Sequence, residues 1–280
     1  MSNSLTLENF EKNGVAYPFD LGKKFDEKRL LQEYLNYKKL SEKTFGTMQA
    51  LKPHLLSTFF DEMARDESII ENVKKIIGED IYVWSSAFFA KAPGEGKIVS
   101  YHQDNPYWQL TTNKVVSAWV ALTNSNLESG ALEVVPETHK MGIIKKLDVE
   151  NPRNSYLKGE RTTKSSDLLS YNQNLDDFIK KNPPTVLDLK SNQYSIHHVN
   201  AVHGSGINKT DNYRIGFAIR YISSDTQHTE EQKDLALHVS GKKNSYYQGE
   251  KSPIKDFDEG AINQYKISMN STGVFGNKKY

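Results

Sequence analysis

The sequence predicts a mainly β protein with flanking helices, its strands forming a sandwich or barrel. Three observations carry this. Helical periodicity is confined to the first third of the chain, and at Ile81 the texture turns abruptly β-branched and aromatic. Beyond that point short strand-like runs follow one another across turn clusters, without the intervening helices that parallel-sheet units would need.

Taken in order, Ser4 or Thr6 can cap a short helix holding Leu7 and Phe10, which Asn13 and Gly14 end. Residues 15–19 read as a short strand. Leu30, Leu31, Tyr34, Leu35 and Tyr37 recur at helical spacing over residues 26–40. A second helical block covers about 54–77, with a break near Asp66 and a stop at Gly78. IYVWSSAFFAK, residues 81–91, is a strand that runs into the turn-like Pro93-Gly94-Glu95-Gly96. Further strands are expected at 97–102, 115–123, 131–135, 185–189, 194–198 and 214–222. Residues 140–184 interrupt the series with a polar, partly helical insertion, a plausible lid because long connections in compact domains are often functional. The tail after Ser223 is polar and Lys-rich and carries no assignable pattern. The chain thus reads as one domain over 1–280: a helical part to about 80, a β core over about 81–222 with the insertion, and an extension over 223–280.

Composition narrows the chemistry. The 280 residues carry a net charge of +1, and 37% are hydrophobic, enough for a sizeable core. Lysines pair at Lys145-Lys146, Lys242-Lys243 and Lys278-Lys279, but no basic stripe forms, which argues against a nucleic-acid partner. There is no cysteine, so disulfides, thiolate zinc, iron–sulfur clusters and a cysteine nucleophile are excluded. The opening residues lack an apolar run of signal-peptide length, and no segment has the length and apolarity of a membrane span. No membrane partner and a cytoplasmic location are therefore the expectation.

The candidate site begins at His102-Gln103-Asp104. Residues two apart on a strand share a face, so His102 and Asp104 would point together and Gln103 away if the strand continues through them. H-x-D alone is common by chance. The support comes about a hundred residues later, where His203 follows a strand-like run and precedes Gly204 and Gly206. After the turn cluster 208–212, Arg214 opens a strand. Arg214, Gly216, Ala218 and Arg220 share one of its faces, and Ile215, Phe217 and Ile219 share the other. A hairpin would set His203 and Arg214 on neighbouring strands. Two histidines and a carboxylate form the facial triad of non-haem Fe(II) oxygenases, which leaves coordination positions open. An arginine in the same cavity would clamp the distal carboxylate of a dicarboxylate cosubstrate such as 2-oxoglutarate, whose 2-oxo-acid end would chelate the metal.

These pieces, together with Trp119-Val120-Ala121-Leu122, Ser129-Gly130-Ala131-Leu132 through Pro136 and His139-Lys140, and Val202-His203-Gly204-Ser205-Gly206 to Arg214, resemble the phytanoyl-CoA dioxygenase (PhyH) family in kind and in order. The resemblance covers roughly residues 5–222. It implies a double-stranded β-helix (jelly-roll, cupin-like) core with N-terminal helices packed on the sheet. It implies Fe(II) held by His102, Asp104 and His203, with 2-oxoglutarate and O2 as cosubstrates. It places the cosubstrate on Arg214, Ser205 and, lining its pocket, Trp119. Glu137-Thr138 depart from the family's usual proline-glycine-serine-histidine turn, which puts that backbone conformation in question. Related halogenases have a small residue where this chain has Asp104, so hydroxylation is the expected outcome.

Other residues have two readings. Asn105, Tyr107 and Trp108 either line the substrate cavity or pack against the helices. Ser85, Ser86, Phe88, Arg220 and Tyr221 are weaker candidates, and Lys91 reads as a solvated strand end. One of His197 and His198 could approach the site, although a structural role fits either, and His139 suits a turn. The expectation is an Fe(II)/2-oxoglutarate dioxygenase hydroxylating a small molecule in specialised-metabolite biosynthesis. Alternatives are the same chemistry on an amino-acid derivative or acyl-CoA ester, and a cupin-type isomerase that consumes neither O2 nor 2-oxoglutarate.

Overall fold

A computed structural model describes residues 3–146, 163–169, 173–229 and 234–271. The expected cap at Ser4 or Thr6 concerns side chains outside the described set, as does the Lys278-Lys279 pair. The chain runs α1 (Asn3–Asn13), β1 (Val15–Asp20), α2 (Glu27–Phe45), a 3₁₀ turn (Pro53–Leu55), α3 (Thr58–Ala64), α4 (Glu67–Ile77), β2 (Ile81–Lys91), β3 (Val99–His102), α5 (Asn105–Trp108) and β4 (Val115–Ala121). It continues through β5 (Glu133–Val134), a 3₁₀ turn (Thr138–Met141), α6 (Asp176–Lys181), β6 (Thr185–Val186), β7 (Gln193–His198), β8 (His203–Ser205), β9 (Arg214–Ser223), β10 (Leu235–Ser240), β11 (Gln248–Gly249) and α7 (Glu259–Met269).

Two sheets face each other. The larger has the order β1-β7-β4-β9-β2-β10-β11, the smaller β3-β8-β5-β6. Alternation along the strands of the larger sheet divides its two faces. Val116, Ala118 and Val120 of β4 and Ile215, Phe217 and Ile219 of β9 join Leu30, Tyr34 and Tyr37 of α2, Phe60 of α3 and Ile69 and Val73 of α4 in one core. Trp119, Ala121 and Ala218 face the other way and pack on Leu132, Val134 and Leu187, between the sheets. The helices therefore cover one side of the larger sheet, and the site lies on the other.

Local signals account for the helix ends. Asp26 caps α2 through Lys28 N, and Gly46, at φ 76°, ends it. Asp66 caps α4 through Ser68 N at 3.0 Å, which places the break in the second helical block where the sequence suggests it.

Three expectations change. The tail is part of the sheet: β10 pairs antiparallel with β2, and Tyr265 and Met269 of α7 enter the helix-side core. His203 and Arg214 are not on neighbouring strands. β8 pairs with β3 and β5, β9 with β2 and β4, so the loop between them crosses from one sheet to the other. A tight hairpin would have kept both strands in one sheet; the long turn over 206–213 instead permits the crossing. At the third, Glu137 takes φ 65°, the left-handed region suited to glycine. Thr138 accounts for this turn: its hydroxyl donates to Val135 O at 2.8 Å and accepts from Val202 N at 2.9 Å.

Candidate metal centre

His102 and His203 meet directly across the β3–β8 pair, with ring centroids 4.2 Å apart. Each imidazole is locked by its own backbone. Nδ1 of His102 donates to Ser100 O and Nδ1 of His203 to Ala201 O, both at 2.9 Å. A carbonyl can only accept, so the neutral rings carry their protons on Nδ1 and present Nε2 lone pairs to a metal. Asp104 Oδ1 lies 3.5 Å from Nε2 of His102 and 4.0 Å from Nε2 of His203. One ligand atom from each residue falls within a 4.8 Å cluster, and all three residues are buried.

Asp104 arrives there by a route the strand argument misses. β3 stops at His102, and Asp104 has φ −70° and ψ −39°, the helical conformation that leads into α5. Its N–H and that of Asn105 both donate to Val199 O, at 3.1 and 3.2 Å, which ties this turn to the loop ahead of β8. Burial works against the charged form of Asp104. The neighbouring His102, His203 and Arg220 outweigh it and hold the carboxyl well below the usual range. Burial, then the neighbouring His102, keeps His203 far below its ordinary value and therefore neutral. A carboxylate and two imidazoles whose Nε2 atoms converge form the donor set that Fe(II) takes, so the residues fit that metal.

Gln103 points away from the metal, as alternation suggests, and has a structural task. Its Nε2 donates to Gly142 O (2.7 Å) and Asn200 O (2.8 Å), and its Oε1 accepts from Ile144 N (2.9 Å) and Gln173 Nε2 (3.3 Å). The wholly buried amide thereby uses two donors and two acceptor sites. It joins the H-x-D turn to both ends of the insertion and to the loop before His203. Part of that insertion, 147–162 and 170–172, lies outside the described residues, and so does a test of it as a lid. Leu169 within it borders the cavity, and Asp167 accepts from Ser100 N at 3.3 Å.

At the other end of the cavity, register pairs Lys91 with Arg214 across β2 and β9. Arg214 is 1% exposed; its Nη1 donates to Phe89 O (3.1 Å) and its Nη2 approaches Ser205 Oγ (3.4 Å). Its Nε has no partner among the described residues. Trp119 lies beneath the guanidinium, 5.6 Å from its carbon to the ring centre, and a Cβ on Gly216 would collide with that indole. Lys91 overturns its reading as a solvated strand end. It is wholly buried, and Nζ donates to Ser205 Oγ at 2.6 Å and to the carbonyls of Ser205 and Gly206. Burial, reinforced by Arg214, pulls its pKa down to about 6. Period-2 alternation along β2 could have revealed it, because Lys91 shares a face with Ser85 and Phe89.

The cavity encloses about 750 Å³, its open mouth included, and both ends border it. Tyr107 and Trp108 line it; Asn105 does not, and its amide reaches Asn113 Oδ1 at 3.2 Å instead. His197 lines the cavity beside His203, at a centroid distance of 4.7 Å, and burial lowers its pKa to about 4. His198 turns away, accepting from Asn200 N, and His139 Nε2 donates to Glu11 O at 3.1 Å. Ser86, Phe88 and Tyr221 face the helices: Ser86 Oγ meets His54, Phe88 packs on Tyr34, and Tyr221 donates to Ala64 O.

A jelly roll holding two histidines and one aspartate in a cavity, with a buried arginine at its far end, defines the class: a cupin-like facial-triad protein. The phytanoyl-CoA dioxygenase (PhyH) family profile matches residues 29–216, and the chain belongs to that family. Among curated relatives, it is 26% identical over 194 residues to a probable alpha-ketoglutarate-dependent hypophosphite dioxygenase of Stutzerimonas stutzeri, covering 69% of this chain and 63% of the other. An ectoine dioxygenase of Streptomyces avermitilis is 27% identical, with 56% and 53% covered. The peroxisomal phytanoyl-CoA dioxygenase of Mus musculus is 29% identical, with 57% and 44% covered. The matches thus span about half to two thirds of these relatives. Among solved structures, the non-heme monooxygenase ThoJ shares the fold at a TM-score of 0.77 and 24% identity over 94% of both chains. The carbocyclase SnoK from nogalamycin biosynthesis shares it at a TM-score of 0.60, 16% identity, and 81% and 86% coverage.

Proposed function

We propose that this protein is an Fe(II)- and 2-oxoglutarate-dependent dioxygenase that hydroxylates an unactivated C–H bond of a small molecule in natural-product biosynthesis. One observation carries the reading: a single cavity joins three converging metal ligands to the buried Arg214 and Ser205, with Lys91 bonded to Ser205. When bound, iron with 2-oxoglutarate and O2 supplies the oxidising power for C–H cleavage, with succinate and CO2 as co-products. The chain supplies the rest. His102, Asp104 and His203 hold the metal with proton positions already set. Arg214 receives the distal carboxylate of 2-oxoglutarate, and its unpartnered Nε marks the pocket as built for a further acceptor. Ser205 bridges Lys91 and Arg214, and Trp119 walls the pocket. Tyr107 and Trp108 border the space beyond the metal and are the substrate contacts of this reading. Asp104 fills the position a halide would need, which supports oxygen transfer. The natural-product role draws support from the setting of SnoK, and the substrates named for the curated relatives differ too widely to choose among.

Anaerobic addition of Fe(II) and 2-oxoglutarate to the protein tests the reading. A weak visible charge-transfer band is expected, and succinate should form once air is admitted with a candidate substrate whose C–H bond supplies the remaining two electrons. Absence of both would sink it. Fe(II) binding without the band and without succinate would favour an isomerase.

A further inference from the structure

Two lysines are buried in the molecule, and they are compensated differently. Lys52 Nζ lies 2.5 Å from the carboxylate of Glu250, the anion that a buried ammonium calls for. Lys91 bonds no carboxylate among the described residues. Its Nζ donates to the Ser205 hydroxyl and to the carbonyls of Ser205 and Gly206. It stands opposite Arg214 in the β2–β9 register, and it does not itself border the cavity. Whatever Lys91 does for a bound molecule, it does through Ser205.

A serine hydroxyl has one hydrogen to give and two acceptor sites. Lys91 Nζ at 2.6 Å and Arg214 Nη2 at 3.4 Å take both acceptor sites of Ser205 Oγ. The hydrogen has no acceptor among the described residues, and Ser205 borders the cavity. With its lone pairs facing two cations, the hydroxyl directs its proton into that cavity. Arg214, which borders the cavity too, keeps an unpartnered Nε there.

This orientation follows the charge of Lys91. An ammonium has three N–H groups, one for each of the three acceptors around Nζ. A neutral amine has two, which the carbonyls take. Its lone pair then accepts the Ser205 proton and turns the hydroxyl away from the cavity. Burial and Arg214 on β9 disfavour the charged form, whereas Glu133 on β5 and Asp167 favour it. A dianion arriving beside Arg214 adds to the favourable side.

Resting on the function proposed above, we propose that Lys91 is a positioning residue for the cosubstrate: its ammonium aims the Ser205 hydroxyl at the distal carboxylate. That end of the cavity thereby selects an anionic acceptor over an uncharged chain of the same length.

The test uses protein loaded with redox-silent Ni(II). It is titrated by calorimetry with 2-oxoglutarate and with 2-oxopentanoate, which has the same chain length but no distal carboxylate. Lys91→Met, Ser205→Ala and the double variant complete a cycle. Lys91→Met should weaken 2-oxoglutarate binding about tenfold and leave 2-oxopentanoate binding unchanged. In the Ser205→Ala background the same substitution should change 2-oxoglutarate affinity by no more than about twofold. An equal loss in both backgrounds overturns the proposal, since Lys91 would then act by charge alone or by holding the loop after β8. A loss shared by 2-oxopentanoate, or undiminished 2-oxoglutarate affinity in Lys91→Met, overturns it as well. If Lys91→Met does not take up Ni(II), Lys91→Gln replaces it in the cycle with the same expectations. Wild-type loading is measured first. Protein that takes up neither Ni(II) nor 2-oxoglutarate fails the functional reading itself, whereas loaded protein without coupling between Lys91 and Ser205 fails only this proposal.

Discussion

The two ends of the cavity solve burial in opposite ways. At the metal end, backbone carbonyls hold the Nδ1 atoms of both imidazoles, and one carboxylate keeps its charge beside His102, His203 and Arg220. At the far end, Lys91 and Arg214 lie side by side around one serine, and burial pulls both pKa values down, to about 6 and about 10. The metal end is organised before any ligand arrives. The far end holds groups whose charge an incoming dianion would stabilise. The lesson is that a site can be preorganised in geometry at one end and poised in protonation at the other.

The largest effect should come from removing a ligand. His203→Ala should weaken Fe(II) binding by roughly 100-fold or more and abolish the anaerobic charge-transfer band, read by titration under nitrogen. Arg214→Ala should leave Fe(II) binding in place but raise the 2-oxoglutarate concentration needed for the band about 100-fold, near 3 kcal/mol. If both variants lose metal equally, the two ends are not separate.

Gln103→Leu should cost about 2 kcal/mol of stability, because it strands Asn200 O in a buried setting and removes the partners of Gly142 O and Ile144 N at its margin. Denaturant unfolding measures it, and a loss under about 1 kcal/mol would show that the loops hold themselves.

Lys91 gives the comparison a pH axis. Its folded pKa of about 6 lies below the unfolded lysine value near 10.5, so the unfolded chain binds an extra proton between those limits. Stability from this group therefore rises with pH through that window, and its destabilising share is complete below it. Lys91→Met should flatten that slope. 2-Oxoglutarate binding at pH 7.5 should draw up close to one proton in the wild type and almost none in Lys91→Met, read by calorimetry in buffers of different ionisation enthalpy. Equal uptake in both would mean that the far end is not poised. The smallest change expected is Glu137→Gly, which relieves a left-handed φ remote from both ends and should raise stability by about 0.5–1 kcal/mol without altering either affinity.

How much of this could be read from the chain follows the range of each interaction. Alternation is local, so the split of β9 into a core face with Phe217 and a site face with Arg214 and Arg220 is visible in the residues themselves. So are the caps at Asp26 and Asp66, each of which bonds an N–H two residues on. His102, Asp104, His203 and Arg214 form a recognisable set because their order and residue types are chemically restrictive. Asp104 meets His102 and His203 by a turn, not by a continuing strand, so alternation alone does not account for its direction.

Tertiary structure alone decided the rest. The crossing between sheets after β8 sets His203 opposite Arg214's sheet, a choice that depends on which strand edges are already taken. Lys91 looks solvated in sequence because the groups that bury it, Ser205 and Gly206, come more than a hundred residues later. Gln103 looks idle because its partners lie in three distant loops, and β10 looks like tail until β2 offers it an edge. Short-range periodicity determined the faces and the chemistry; closure of distant segments determined which buried charges share a cavity.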